Sequence, residues 1–230
     1  MISSPPSINP ITNIELILGN SNKRFSGVTS TMLQVLSRQK ELISLTVLGD
    51  HFLPSETSSI SFFTLARYGR SLLPDGRSRV FHARRNNEMI QALILKKLFG
   101  VKLKIVFTST AQRHHTSLTR WLMTQMDGIV STCAAAASYL KLPANIIIPH
   151  GIDTATYYPS ACKKDSWAQL GLPGKYGIGI FGRIREQKGL DRLIDASIPL
   201  LKRHPDFTIV ITGQVQAKDQ AYFDAQMAKV

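Results

Sequence analysis

Phe181-Gly182-Arg183-Ile184-Arg185-Glu186-Gln187-Lys188-Gly189 joins an apolar run, Gly177–Ile180, to the helical pattern of Leu190–Leu201. A strand ending in Gly-Arg, a short polar turn, and Lys-Gly at the mouth of a helix gather two side-chain cations and backbone N–H donors at one point. A helix N-terminus carries unpaired donors and partial positive charge. A guanidinium clamps an oxyanion through two parallel bonds, and glycines let a ligand approach the backbone. The stretch reads as a diphosphate site at the end of a parallel strand; the alternative is a basic surface loop.

Outward from it, short apolar runs alternate with helical patterns. Strands are expected at Glu15–Gly19, Ser44–Gly49, Arg79–His82, Leu103–Thr108, Gly128–Ser131, Asn145–Ile148, Tyr176–Phe181 and Phe207–Thr212. Between them Val28–Arg38, Asn87–Phe99, Thr116–Thr124, Cys133–Leu140, Lys163–Leu170, Leu190–Arg203 and Lys218–Val230 show helical patterns. This alternation predicts an α/β chain of parallel sheets wound on both sides by helices. The expected divisions are a disordered leader over 1–13, a first Rossmann-like domain over 14–160, a linker over 161–175 marked by Gly171-Leu172-Pro173-Gly174, and a second domain from 176 to 230. Two parallel strands do not close a core, so the second domain is expected to be incomplete.

The 230 residues are 43% hydrophobic and 19% charged, the balance of a soluble chain. The net charge of +13 is unusual. Between Arg67 and Arg120, twelve Lys and Arg stand against Asp75 and Glu88, a net of +10. Such an excess implies an anionic partner: nucleic acid, anionic lipid or a phosphorylated substrate. Cys133 and Cys162 lack the spacing of a metal site and fit a reducing compartment. No export signal is visible in the Ser-, Pro- and Asn-rich start, and Ile129–Leu142, the longest weakly polar stretch, falls short of a membrane span.

Three further turns carry candidate chemistry. Ser26-Gly27 opens a helix after the first strand, with Ser26 or Thr29 as cap. His82-Ala83-Arg84-Arg85-Asn86 lies where a strand ends and a helix begins, the crevice position at which open parallel sheets bind ligands. There a histidine can hydrogen-bond a hydroxyl, two arginines can hold a phosphate or carboxylate, and Asn86 is the expected N-cap. Thr108-Ser109-Thr110-Ala111-Gln112-Arg113-His114-His115 ends the next strand; without a helical His-x-x-x-His pair or nearby carboxylates, substrate contact is a better reading than metal.

The order of these motifs resembles family 4 of the retaining nucleotide-sugar glycosyltransferases. It runs from Ser26-Gly27 through His82, the Pro-His-Gly-Ile-Asp turn at Pro149–Asp153 and Gly182–Gly189 to Ile-Thr-Gly at Ile211–Gly213. Phe25–Ser30, His82–Asn86, Phe107–Arg113 and Pro149–Asp153 are more narrowly similar to the lipopolysaccharide core mannosyltransferases of Gram-negative bacteria. The resemblance implies the GT-B architecture, two Rossmann-like domains across a cleft. It implies transfer of a hexose, mannose from GDP-mannose, to a lipid A–inner core acceptor with retention, without metal or other cofactor. His82, Arg183 and Lys188 would be catalytic. Ser26, Gly27, His150, Gly151, Gly182, Arg183, Lys188 and Gly213 would bind the donor, and Arg84, Arg85, Gln112, Arg113 and His114 the acceptor. The location implied is cytoplasmic, peripheral on the anionic inner face of the plasma membrane.

Two departures stand out. Ser26-Gly27 replaces the paired glycines of many relatives, and the family's Glu-x7-Glu element is missing, since no glutamate follows Glu186. The 230 residues alone are therefore expected to be inactive. Competing readings are a glucose or galactose donor, a non-enzymatic module binding nucleic acid or anionic lipid, and a nucleotide-sugar epimerase. A nucleic-acid module would show aromatic-interleaved basic strands, a basic recognition helix or zinc spacing; none is found, and no nucleic-acid partner is expected.

Overall fold

The computed structural model describes residues 11–230, which fall into two compact units meeting at Tyr157 and Tyr158. The first unit is built on seven strands: β1 (Leu16–Gly19), β2 (Leu45–Leu48), β3 (Ser59–Ile60), β4 (Arg79–Ala83), β5 (Leu103–Ser109), β6 (Gly128–Ser131) and β7 (Ile146–Ile147). They pair in parallel in the order β3-β2-β1-β4-β5-β6-β7. The order reverses between β1 and β4, and that reversal opens a crevice outside their carboxyl ends.

Side-chain alternation builds a layer on each face. Ile17, Phe81, Ala83, Ile105 and Phe107 point into one core with helices α2 (Phe62–Tyr68), α3 (Asn86–Lys97) and α4 (Ser117–Thr124), which supply Leu65, Met89, Ala92 and Leu122. Leu16, Leu18 and Val47 point the other way, against Met32 and Leu36 of α1 (Gly27–Leu42). A fifth helix, α5 (Ala134–Ala137), follows β6. Two elements, β3 and α2, were not expected from the pattern. β3 pairs only Ser59 and Ile60, too short for a period-2 signal, and α2 spans under two turns.

The second unit has two parallel strands, β8 (Tyr176–Phe181) and β9 (Phe207–Thr212), in register from Tyr176 opposite Phe207. Helices α7 (Leu190–Arg203) and α8 (Gln220–Met227) close a small core of Ile184, Leu190 and Ile194 with Ile211, Tyr222 and Phe223. The linker expected over 161–175 is instead part of this unit. Helix α6 (Lys163–Gln169) lays Trp167 against β8, so that a Cβ on Gly177 would meet its ring at 2.4 Å, and the indole N–H donates to the Gly174 carbonyl.

Residues 1–10 of the expected leader lie outside the described residues, but 11–13 do not behave as a leader. Ile11 is buried in the core. The guanidinium of Arg79, itself fully buried, donates to the carbonyls of Ile11 (2.9 Å), Thr12 (3.3 Å) and Ser71 (2.5 Å). Arg79 is therefore an internal brace rather than part of a basic face. Four more of the cations between 67 and 120 are held by carboxylates: Arg77 by Asp75 and Glu15, Arg85 by Glu88, and Lys96 and Lys104 by Asp127.

Candidate functional site

The crevice at the β1/β4 reversal is a cavity of about 690 Å³. Its walls come from the start of α1 (Ser26, Gly27, Val28, Thr31), the ends of β4 and β5 (His82, Arg84, Thr108, Thr110) and the loop Ile148–Gly151. The extended Ser26 caps α1 by accepting from the Thr29 N–H at 3.5 Å. A Cβ on Gly27 would meet nothing within 4 Å, so this residue leaves the cavity open beside the helix end. His150 and Gly151 line the same cavity. The sequence-predicted Ser26, Gly27, His82, Arg84, His150 and Gly151 are thus brought together.

His82 is sandwiched. Its Nδ1 stands 3.3 Å from Nη2 of Arg84, and its Nε2 stands 2.7 Å from Thr108 Oγ1. A guanidinium can only donate, so Nδ1 accepts and Nε2–H donates to the threonine. The Thr108 hydroxyl then keeps its own proton for another acceptor. Burial, aided by the charge of Arg84, holds His82 down at about 3, so the ring is a neutral relay. A direct hydrogen bond from His82 to a ligand hydroxyl, as expected from the sequence, would require breaking one of these contacts.

Arg85, predicted to hold the acceptor, is a cross-brace. It donates to Ser26 Oγ (2.9 Å), Thr29 Oγ1 (2.8 Å) and Glu88 Oε1 (3.0 Å), tying the N-terminal turns of α1 and α3 across the crevice. Glu88 stands in the first turn of α3. It is fully buried and also accepts from the Arg84 backbone N–H at 2.7 Å. Burial pushes its carboxyl above the usual range, against the pull of those donors. It fits only because position 19 is glycine: a Cβ there would stand 2.9 Å from Glu88 Cγ. Asn86 is not the N-cap; Arg85 holds that position, and Asn86 Nδ2 donates to Thr119 Oγ1 at 2.8 Å.

Beside the cavity a cleft of about 380 Å³ runs under the β5–α4 loop, lined by Arg113, His114 and His115. The adjacent histidines diverge. His114 stands edge-on to Tyr139, with centroids 5.2 Å apart, and His115 Nε2 lies 3.1 Å from Ser109 Oγ. Gln112 reaches only the Cys133 sulfur at 3.6 Å and lines neither space. Thr108 and Thr110 line both spaces together with Arg84; the sequence reading passed over these threonines, although their place at a strand's carboxyl end was the available signal.

In the second unit Gly182, Arg183 and Gly213 stand together where β8 and β9 end. The two connections run so close that a Cβ on Gly213 would overlap the Gly182 carbonyl oxygen at 1.8 Å, and Ile184 bridges Val215. Arg183 Nη1 donates to Gln216 Oε1 at 3.3 Å. Lys188 closes a single 3-10 turn, Glu186–Lys188, before α7. The helix end is less open than its sequence suggests: the Asp191 N–H donates to Tyr222 Oη at 3.1 Å.

No family model matches the chain. It is 40% identical over 223 residues to the lipopolysaccharide core biosynthesis mannosyltransferase LpcC of Rhizobium leguminosarum bv. viciae, covering 96% of this chain and 62% of that protein. It is likewise 40% identical over 215 residues to LpsB of the same description from Rhizobium meliloti (strain 1021), covering 92% and 60%. The chain thus spans about three fifths of the length of these relatives. Among solved structures, Anabaena Alr3699/HepE in complex with UDP and glucose superposes with a TM-score of 0.69 at 13% identity, covering 94% of this chain and 65% of that one. The likeness at that identity is one of fold. The chain shares the α/β Rossmann-like fold of the GT-B glycosyltransferases.

The state of His82 has a measurable consequence. Unfolded, the ring protonates near 6.5, and folded only near 3. As pH falls below 6.5 the unfolded state takes up the proton first, so stability present above that pH drains away towards 3, with a limiting slope of about 1.4 kcal/mol per pH unit. Glu88, whose pKa is raised, acts in the opposite sense and is common to both proteins when wild type is compared with His82→Gln. Urea unfolding at pH 7 and pH 5 should show the wild type losing about 2 kcal/mol more than the variant. Equal losses would mean that the ring is protonated in the folded chain.

Proposed function

We propose that the protein transfers a hexose, mannose from GDP-mannose, to a lipopolysaccharide inner-core acceptor with retention of configuration. The observation that carries this reading is the 40% identity to a core mannosyltransferase over 96% of the chain. The geometry supports it in each unit. The first has an open cavity at the sheet's reversal, with apolar walls from Val28, Val35, Val130 and Ile148 for a sugar face. The second has Arg183 and Lys188 on the β8–α7 turn, where cations would offset charge developing on a departing diphosphate.

No metal is invoked in this scheme, because Arg183, Lys188 and the start of α7 would carry the neutralising charge. Among the described residues no helix is long and apolar enough to cross a membrane. Peripheral attachment to the anionic inner face of the plasma membrane, from the cytoplasmic side, is proposed instead. Phe63 and Leu98 are strongly exposed, and Lys97 and Lys102 flank Leu98 in sequence.

The test is mass spectrometry of the lipopolysaccharide core from a strain lacking the gene, paired with transfer assays using GDP-mannose, UDP-glucose and UDP-galactose. A core short of one mannose, restored by the gene, is the expected result. A core of unchanged mass overturns the assignment, and loss of a different hexose corrects the donor.

A further inference from the structure

We infer that the cavity at the carboxyl ends of β1, β2 and β3 is a separate sugar-binding site, which takes one uncharged pyranose and holds its hydroxyls with Asp50, Gln91 and Ser59. The site stands outside the transfer reading: it shares no lining residue with the cavity at the β1/β4 reversal, and either can fail without the other.

This cavity measures about 400 Å³, at the small end for ligand sites and enough for one sugar ring. Its floor is apolar, made by Leu48, Ile60 and Phe62, and its rim is polar. That pairing suits a pyranose, which has C–H groups on a face and hydroxyls around its edge. The rim groups are open to such a ligand. The Asp50 carboxylate is exposed, and His51 Nδ1 stands 3.6 Å from its Oδ1, too far for a hydrogen bond, so its lone pairs are left for ligand hydroxyls. Gln91 Oε1 accepts from the Ser21 hydroxyl, which leaves the Nε2 hydrogens of the amide to donate. Ser59 adds an exposed hydroxyl that can do either. Donors and acceptors thus share one rim, the mixture that a ring of hydroxyls needs.

Charge sets this cavity apart from the rest of the molecule. The chain has 28 Lys and Arg, yet none lines it, and Asp50 is its one carboxylate. An anionic ligand would meet that carboxylate with no lysine or arginine to offset it. A metal ion would find only Asp50 and His51, and among the described residues no three His, Cys, Asp or Glu side chains gather. The backbone beneath the rim is braced. Buried Asn20 donates from Nδ2 to the His51 carbonyl at 2.7 Å, and the Gly49 N–H donates to the Ile60 carbonyl at 3.2 Å. Gly49 has a φ of 101°, and a Cβ there would stand 2.6 Å from the Asn20 carbonyl oxygen, so the turn into Asp50 needs glycine. Asp50 is therefore presented by a fixed turn, as a recognition group requires.

The experiment uses the 230-residue chain with methyl mannoside, methyl glucoside, glucuronate and glucosamine as probes, binding being read by ligand-observed NMR. Variants are Asp50→Ala, at an exposed position where folding is undisturbed, and Gln91→Leu, at a half-buried one. At least one neutral glycoside should bind, and glucuronate should bind less tightly than methyl glucoside. Asp50→Ala should weaken the neutral glycoside by about tenfold, as loss of a charge-assisted contact does, and Gln91→Leu should weaken it in the same direction. If Gln91→Leu does not fold, Asp50→Ala decides alone. Absence of binding by both neutral glycosides, glucuronate binding as tightly as methyl glucoside, or affinity that survives Asp50→Ala overturns the proposal. Tighter binding of glucosamine than of methyl glucoside would make the cavity an ammonium site and likewise overturns it. No probe carries a diphosphate and Asp50 lies outside the larger cavity, so a failed sugar site leaves the transfer reading standing, and a chain that moves no hexose can still show the site.

Discussion

Replacing Glu88 by alanine is expected to destabilise the first unit by about 3–5 kcal/mol, the cost of removing one partner from a buried ion pair. The carboxylate is fully buried and has two functions at once: it takes the Arg84 N–H at 2.7 Å, fixing the backbone as β4 leaves the sheet, and it neutralises Arg85 at 3.0 Å. Arg85 in turn holds Ser26 and Thr29 at the start of α1. Without Glu88 the guanidinium is left in a low-dielectric pocket with only hydroxyl partners, and the two helix N-termini lose their tie. Glu88→Gln keeps acceptor oxygen and volume, so it should cost less, about 1–3 kcal/mol. Each unit contains one of the chain's two tryptophans, Trp121 and Trp167. Urea unfolding followed by Trp121 fluorescence in a Trp167→Phe background therefore reports on the first unit. A loss below about 1 kcal/mol for Glu88→Ala would show the site to be solvated and the brace unimportant.

What the sequence disclosed and what it hid follow from the range of the interactions concerned. Strand positions were readable because parallel strands are short apolar runs: β1 is buried along its whole length, and β6, β8 and β9 fall on the expected residues although β8 and β9 are exposed or half-buried. The crevice residues were readable because ligands gather at strand carboxyl ends, which puts His82, Arg84 and Ser26 together without knowledge of any contact. The division of labour between Arg84 and Arg85 was not readable. Adjacent arginines look alike in sequence, and only the packing of Glu88 into the space left by Gly19 decides that Arg85 turns inward to the brace while Arg84 keeps a free N–H. The same holds for Arg79, whose carbonyl partners lie 8 and 67 to 68 residues away. Charge counts treat every cation as surface; burial reassigns some of them to architecture.

Changing Arg183 and Lys188 together to alanine should lower affinity for GDP and UDP by about two to four orders of magnitude, since each charge-assisted contact contributes about 1.5–3 kcal/mol. The two residues should not weigh equally. Arg183 leaves β8 through Gly182, whose φ of 116° is open to glycine but strained for other residues, and its guanidinium is steadied by Gln216 at 3.3 Å. Lys188 is an exposed point charge on a long stem and gives up more rotamer freedom on binding. The single Arg183→Ala change is therefore expected to cost more than Lys188→Ala, and Gln216→Ala should recover part of that cost as lost preorganisation. Lys202, in the last turn of α7, is the control: its removal changes net charge by the same amount at the opposite end of the helix and should leave Kd within about twofold. Calorimetric titration of the chain with each nucleotide distinguishes the cases. Affinity unchanged in the double variant, or lost equally in Lys202→Ala, would mean that the diphosphate is held by diffuse charge or lies elsewhere, and the β8–α7 turn would revert to a basic surface loop.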